Sequence, residues 1–312
     1  MSLRPADSAG DGARGVGAAG GVGDPLVPGV SPQVFGRRDF VRIADMVRAE
    51  AGIVLGDQKQ MLAYSRLAPL VRASGAQTFG DYLDRLASDP EAAARTIAAL
   101  TTNHTYFYRE PHHFDHFASQ VRPMLLARAQ HGEAVRLWSA GCSSGEEIWT
   151  LLMVLLGEDR AAGQALAGRD IVALASDLAD HAIATAIAAT YPQTAFAALP
   201  QALVRHWCEP VDTPPASLRI VPELRAMVRL RQLNLLRPWP FKGLFDVIFC
   251  RNVMIYFDVA TNAQLVLALA RQLRPGGYLY IGHSERVSGP AAELLLPVGP
   301  TIYQRLPGEP GA

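Results

Sequence analysis

Cysteine is scarce in this chain. Cys142, Cys208 and Cys250 are dispersed over 312 positions, with no C-x-x-C pair. That excludes a disulfide framework and points to a reducing cytoplasm. Excess charge of either sign is also missing, since Lys plus Arg number 29 and Asp plus Glu number 29. A chain coated for nucleic acid or anionic lipid would carry a basic surplus, so neither partner is expected. No apolar run reaches membrane-spanning length, and the N-terminus lacks the apolar core of a secretory signal. No internal repeat is visible. What the chain does have is apolar residues, 49% of the total, enough for a sizeable core. Its length suits two domains, or one domain with additions.

Residues 135–156, VRLWSAGCSSGEEIWTLLMVLL, organise the rest. VRLWSA is a short apolar run of the kind that forms a buried strand. GCSSG follows, small residues that let the backbone turn tightly and approach a ligand. Glu146 and Glu147 come next, where the first turn of a helix favours negative charge; residues 148–156 continue as a helix apolar on most sides. Strand, glycine turn, helix opens a nucleotide-type α/β domain, whose ligand sits at the carboxyl ends of the strands. The turn reads three ways. Its glycines are spaced G-x-x-x-G, so the dinucleotide fingerprint G-x-G-x-x-G is absent. It satisfies G-x-S-x-G literally, with Ser143 as a hydrolase nucleophile. Two carboxylates beside the turn also suit a cofactor with an ammonium group and no phosphate, such as S-adenosylmethionine.

Upstream, residues 1–34 are rich in Gly, Ala, Pro and Asp without apolar periodicity and read as a disordered tail. Helical pattern then begins near Arg37, with Phe40, Ile43 and Val47 on one face and Gly52 as a stop. Asp57 is placed to cap a second helix, Thr78 lies near the start of a third, and a fourth runs from about Pro90 to Leu100. This all-helical unit is followed by TTNHTYFYREP, a polar and aromatic stretch that reads as a site-lining loop. Beyond the glycine turn, IVALASD reads as a second strand ending at Asp177, with a helix after it. Residues 191–226 break the alternation and read as an insertion. MVRLRQLN and FDVIFC read as further strands, the second ending at Arg251 and Asn252. A helix over about 260–273 leads through Pro275-Gly276-Gly277 into a strand over 278–282. Strands alternating with helices imply a mainly parallel sheet.

Polar residues gather where each strand ends: Glu146 and Glu147, Asp177, Asn234, Arg251 and Asn252, and His283-Ser284-Glu285. Their repetition along one edge is the pattern of a ligand crevice. Asp177 is placed to accept hydrogen bonds from ribose hydroxyls. Such an acid falls about 20 residues after the glycine turn. Asp177 lies farther on, and the polar, glycine-bearing segment 157–169 accounts for the excess.

These residues carry a resemblance. TTNHTYFYREPHHF, RLWSAGCSSGEE, ASDL, QLNLL, FDVIFCRNVMIYFD and LRPGGYLYIGHSE occur in family order, and the chain resembles the CheR-type chemotaxis methyltransferases. CRNVMIYF together with GHSE is the most specific part. The family uses S-adenosylmethionine to methylate glutamate side chains of chemoreceptors. The resemblance implies an α/β fold over 108–312, a mainly parallel Rossmann-like methyltransferase sheet with a small inserted subdomain over about 191–226. An all-α N-terminal domain over 35–107 precedes it. Carried over position by position, the cofactor contacts fall on Asn103, Thr105, Arg109, Glu146 (with Glu147 as the alternative), Asp177, Asn234, Leu235, Arg251 and Asn252. Arg109, Arg251 and Tyr256 are the residues expected at the reacting groups; either arginine suits a carboxylate of substrate or of cofactor. Ile148 stands where the family usually has proline. The expected partners are the cytoplasmic helices of methyl-accepting receptors, met by a monomer in the cytoplasm, without a metal.

Other readings predict different geometry. A hydrolase would join Ser143 to Asp246 or Asp258 and to His283. A metal site would gather His112, His113 and His116 with Asp115, although zinc sites usually draw ligands from more than one segment. A non-catalytic, cofactor-binding adaptor would keep the fold without turnover. Two expectations concern docking. Lys59 and Arg66, seven apart, would share one face of a helix turned to an acidic receptor. In some family members a glycine-bearing loop of the insertion grips a peptide tether at the receptor's C-terminus. Here residues 208–217 hold three prolines and no glycine, so no dependence on a tether is expected.

Overall fold

The computed structural model describes residues 26–101, 103–212 and 214–307. Helix α1 (Arg37–Ala51) buries Phe40, Ile43, Val47 and Ala51, the helical spacing visible in sequence, and ends at Gly52 in a left-handed conformation. A 3₁₀ turn over Asp57–Lys59 leads into α2 (Gln60–Ala73). The Thr78 hydroxyl caps α3 (Phe79–Leu86), accepting from the Asp81 N–H, and Asp89 caps α4 (Pro90–Leu100) through the Ala92 N–H. Each such cap satisfies one N–H that the first helical turn leaves without a partner. The four helices close on one core that includes Leu67, Phe79, Leu83 and Ile97.

That core also takes in Val27 and Phe35, and Phe79 N–H donates to Val34 O at 3.0 Å. Of the expected disordered tail, residues 1–25 lie outside the described residues. Residues 26–34 are a correction: Val27 is buried, because its side chain completes the helical core in spite of the surrounding Gly and Pro.

Helix α5 (Pro111–His116) passes through a π-helical segment, Phe117–Val121, into α6 (Arg122–Gln130). The second domain then alternates β1 (Val135–Ala140), α7 (Glu146–Leu156), α8 (Arg160–Ala167), β2 (Ile171–Asp177) and α9 (Asp180–Ala188). The segment that lengthens the interval between the glycine turn and Asp177 is therefore helix α8. The insertion holds β3 (Thr190–Pro192), α10 (Gln201–Trp207), β4 (Cys208–Val211) and β5 (Ser217–Ile220), followed by α11 (Pro222–Met227). Its strands form a separate antiparallel sheet in the order β3-β5-β4. The main chain resumes with β6 (Val228–Gln232), β7 (Phe245–Cys250), α12 (Val259–Gln272), β8 (Leu273–Ile281), β9 (Leu295–Gly299) and β10 (Ile302–Arg305).

The main sheet runs β6-β2-β1-β7-β8-β10-β9. The first five strands pair in parallel and the last two join antiparallel, giving the α/β fold that the alternation implies. Every residue of β7 is buried, as expected of a strand covered on both faces. Residues 148–156 of α7 are likewise all buried, which explains a helix with no polar face. The strand order reverses between β1 and β7, and a crevice opens at their carboxyl ends.

Candidate active site

A cavity of about 190 Å³ occupies that crevice, and both domains line it. Ala51, Ile53, Leu100 and Thr101 come from the helical domain. Gly141 and Ser143 come from the glycine turn, Asp177 and Leu178 from the end of β2, and Leu233, Asn234 and Leu235 from beyond β6. The loop after β7 adds Arg251, Asn252, Val253, Ile255, Tyr256 and Phe257, while Asn103, His104 and Arg109 close the wall. Gly141 sits at φ 82, and a Cβ there would lie 2.3 Å from Val253 Cγ2. Only glycine lets the turn pass this close to the opposite wall.

Asp177 is buried at the end of β2. Its Oδ2 accepts from Ser143 N–H at 2.8 Å and its Oδ1 from Ala179 N–H at 2.9 Å. Burial pushes its carboxyl upward, against the pull of these backbone bonds. Each carboxylate oxygen keeps further lone-pair capacity, so a hydroxyl in the cavity has an acceptor. Ser143 Oγ donates to Asn103 O at 2.8 Å, tying the loop to the turn. Asn234 donates through Nδ2 to Glu50 O at 2.6 Å and accepts from Leu236 N–H, which fixes its amide between the domains.

The two arginines of the cavity differ in charge balance. Arg251 is 2% exposed and lies between Glu110 at 3.3 Å and Glu147 at 3.2 Å. It also donates to Arg109 O and lies over the rings of Phe114 and Phe249. Arg109 donates to His104 O at 2.9 Å and lies over Tyr106. Among the described residues no carboxylate is within ion-pair distance of its guanidinium. Glu147 is held further by Ser139 Oγ at 2.6 Å, and burial pushes its carboxyl up despite Arg251. Burial also raises the Glu110 carboxyl. Arg251, hydrogen bonds from His283 and the charge of His113 outweigh it and hold the group down at about 2.

This geometry matches what comparison finds. Residues 103–297 match the CheR methyltransferase SAM-binding domain, and residues 38–101 match the CheR methyltransferase all-alpha domain. The chain belongs to the CheR methyltransferase family. It is 39% identical to a probable chemotaxis protein methyltransferase of Rhizobium etli, over 83% of this chain and 96% of the relative. It is 35% identical to chemotaxis protein methyltransferase 2 of Pseudomonas aeruginosa, over 86% and 93%. A further relative is the chemotaxis protein methyltransferase of Salmonella typhimurium, 38% identical over 85% and 88%.

Of the residues singled out in sequence, this CheR-family fold brings Asn103, Arg109, Asp177, Asn234, Leu235, Arg251, Asn252 and Tyr256 to one cavity. Thr105 and Glu146 do not line it. Glu146 is turned to Ser144 Oγ at 2.7 Å, and Glu147 faces Arg251, so neither acid of the turn is a cavity wall. The apolar walls from the helical domain were not anticipated; Ile53 was not singled out in sequence, and Leu100 marked only the end of the fourth helix. Glu110 was missed as well, and Glu285 was noted only as one of the polar residues gathered at the strand ends. Glu285 is a buried carboxylate that accepts from the N–H groups of Gly282, Asn252 and Met254 and so holds the loop after β7 against the end of β8. GHSE was visible as a motif, but nothing local marks its Glu as turned inward.

The hydrolase geometry does not form. Asp246 lies at the start of β7, where Arg128 and Arg136 N–H take its carboxylate. Asp258 caps α12. His283 Nδ1 meets Glu110 at 3.0 Å, while Ser143 is bonded to Asn103 O. The hydrolase residues therefore sit in separate networks. His116 Nδ1 meets Tyr280 Oη and His113 Nε2 meets Thr301 Oγ1, each at 2.9 Å, so the helical histidines face different partners. Glu110, His112 and His113 bring donor atoms within 4.8 Å of one another instead. The Arg251 guanidinium, 3.3 Å from that carboxylate, already supplies the positive charge a cation would bring. The shared basic face also fails, since Lys59 sits in the 3₁₀ turn before α2. Arg66 folds back onto Leu100 O and Thr101 O, satisfying carbonyls at the end of α4.

Proposed function

We propose that the protein transfers the methyl group of S-adenosylmethionine to glutamate carboxylates of methyl-accepting chemoreceptors, forming methyl esters. The observation that carries this reading is the composition of the cavity: a buried acid, apolar walls and a guanidinium, that of Arg109, without an ion-pair partner among the described residues. The residues present fit the cofactor. Ile53, Leu178, Leu235 and Phe257 offer flat apolar surface for a purine. Asp177 takes the ribose hydroxyls, Asn234 meets the base edge, and Arg109 receives a carboxylate. When bound, the cofactor supplies an electrophilic methyl on a sulfonium.

The chain's own residues then have little proton chemistry to do. A glutamate side chain is already ionised at neutral pH. No general base is needed, which agrees with a cavity free of a base dyad. What the site must provide is alignment and exclusion of water, and positioning of this kind is worth about 7–11 kcal/mol in favourable cases. Tyr256 sits on the loop after β7, fastened to the helical domain by Val54 N–H donating to Tyr256 O at 2.8 Å. On this reading its ring, part of the cavity wall, excludes water from the methyl end.

The helical domain forms one wall of the cavity and is the face that meets a receptor helix. No described helix is long and apolar enough to cross a membrane. A monomeric cytoplasmic enzyme working on the cytoplasmic part of its receptor completes the reading. Calorimetry with S-adenosylmethionine and a labelled-methyl assay on receptor membranes test both halves. Cofactor binding with base-labile product supports the proposal. Binding without product would leave a non-catalytic adaptor.

A further inference from the structure

Glu110 follows the cavity residue Arg109 in sequence and meets Arg251 and Asn252 of the same wall in space, yet it has no assigned role. Its backbone is left-handed at φ 59, as is that of Tyr108, so the chain turns sharply on both sides of Arg109. A non-glycine residue is strained there and persists only when its surroundings fix it. The surroundings do so through the side chain, which is 11% exposed. Oε2 lies 3.3 Å from Arg251 Nη2. Oε1 accepts from His283 N–H at 3.3 Å and meets His283 Nδ1 at 3.0 Å, with Asn252 Nδ2 at 3.5 Å. One carboxylate thus ties the loop of Arg109 to the ends of β7 and β8.

It also decides which arginine is free. Arg251 stands between Glu110 and Glu147 and is nearly sealed from solvent, while Arg109 lines the same cavity with no carboxylate within ion-pair distance among the described residues. We infer that Glu110 is a positioning residue, which neutralises Arg251 and anchors the loop so that Arg109 alone presents positive charge to a carboxylate in the cavity. This rests on the methyltransferase reading above and deepens it. The carboxylate is that of the incoming glutamate or that of the cofactor's amino-acid end. Both are the same chemistry, and the measurements below separate them.

The test is a cycle of Glu110→Gln and Arg109→Ala in the full-length enzyme, read by cofactor Kd, receptor KM, kcat and Tm. Glutamine keeps the shape of Glu110 and removes its charge. In Glu110→Gln the freed Arg251 competes for the carboxylate, so cofactor Kd holds or tightens while kcat falls by about tenfold. A merely structural role would weaken binding and turnover together, in step with Tm. Arg109→Ala alone should impair carboxylate binding, and it should cost less in the Glu110→Gln background because Arg251 takes over. Compensation in cofactor Kd marks the cofactor carboxylate; compensation in receptor KM marks the substrate glutamate. If Glu110→Gln does not fold, Glu147→Gln removes the other carboxylate from Arg251 and should give the same compensation. An equal cost of Arg109→Ala in both backgrounds, in Kd and in KM, overturns the inference. Should the wild type bind cofactor but methylate no receptor, the glutamate reading falls, and the Kd cycle still decides the role of Glu110.

Discussion

The backbone N–H of Ser143 donates to Asp177 Oδ2 at 2.8 Å, so the buried acid at the end of β2 also pins the glycine turn. The two duties of Asp177 are separable by substitution. Asp177→Ala leaves the Ser143 and Ala179 N–H groups without their acceptor, and each such orphan costs about 1–3 kcal/mol. Asp177→Asn keeps one oxygen and loses the charge. Expected for Asp177→Asn is a fall in cofactor affinity of about 1.5–3 kcal/mol, the usual worth of a charge-assisted hydrogen bond. A smaller fall in Tm accompanies it. Titration calorimetry beside thermal melts measures both, and unchanged affinity in a folded Asp177→Asn protein would remove the residue from the site.

Arg109 and Arg251 should fail differently. Arg251→Ala strands Glu110 and Glu147, both largely buried, and removing one partner of a buried pair typically costs about 3–5 kcal/mol. Arg109→Ala strands no carboxylate, so stability should change little while methyl transfer drops. Urea denaturation of the two variants, beside the receptor assay, gives the comparison. Equal destabilisation by both would contradict the charge assignment.

Acid should weaken the fold through His113 before it reaches Glu110. Burial, then the charges of Arg251 and His112, hold this imidazole down at about 3, and its side chain is fully buried. Its folded value lies below its unfolded value, so between about pH 6.5 and 3 the unfolded chain takes up a proton that the native state refuses. Stability therefore falls as pH drops through that window, with a limiting slope of about 1.4 kcal/mol per pH unit from this one group. Glu110 acts lower, its stabilisation being lost only as pH falls from the ordinary carboxylate range toward about 2. Urea midpoints from pH 7 to 5 should slope downward in the wild type and flatten in His113→Gln. A parallel slope in the variant would assign the effect elsewhere.

The fourth prediction concerns the receptor tail. Strand β4 is an edge of the small sheet and carries Pro210 opposite Leu218 of β5. A proline has no N–H to give an added strand. Methylation of one receptor with and without its C-terminal tail, at concentrations below KM, should proceed at the same rate. A large loss on truncation would show that a tether is gripped after all.

Sequence patterns located the strands of the parallel sheet because each is an apolar run or, in β6, an apolar–polar alternation, with a polar residue at its carboxyl end. They did not reveal β9 and β10, where Pro297 and Pro300 interrupt short apolar stretches, nor the small sheet of the insertion. Asp177 and Arg251 were legible because a strand must end where they stand. The inward turn of Glu110 was not, because it depends on a left-handed backbone that only distant partners hold in place. Nor could local spacing show Arg66 bending away to cap α4, since its partners lie 34 and 35 residues ahead.

Gly52 ends α1 at φ 69, and a Cβ at that position would lie 2.2 Å from Leu236 Cδ1 and 3.5 Å from Phe257 and Thr261. Two residues earlier, Glu50 binds Asn234 through its carbonyl and Arg237 through its carboxylate at 2.9 Å. The helical domain is therefore fitted to the residues just beyond β6 as a key is to its own lock. A chimera that borrows this domain from a relative, to redirect the enzyme to another receptor, would have to bring residues 234–237 along with it. Otherwise the borrowed wall would close badly over this end of the cavity, and the graft would lose its cofactor before it ever met its new substrate.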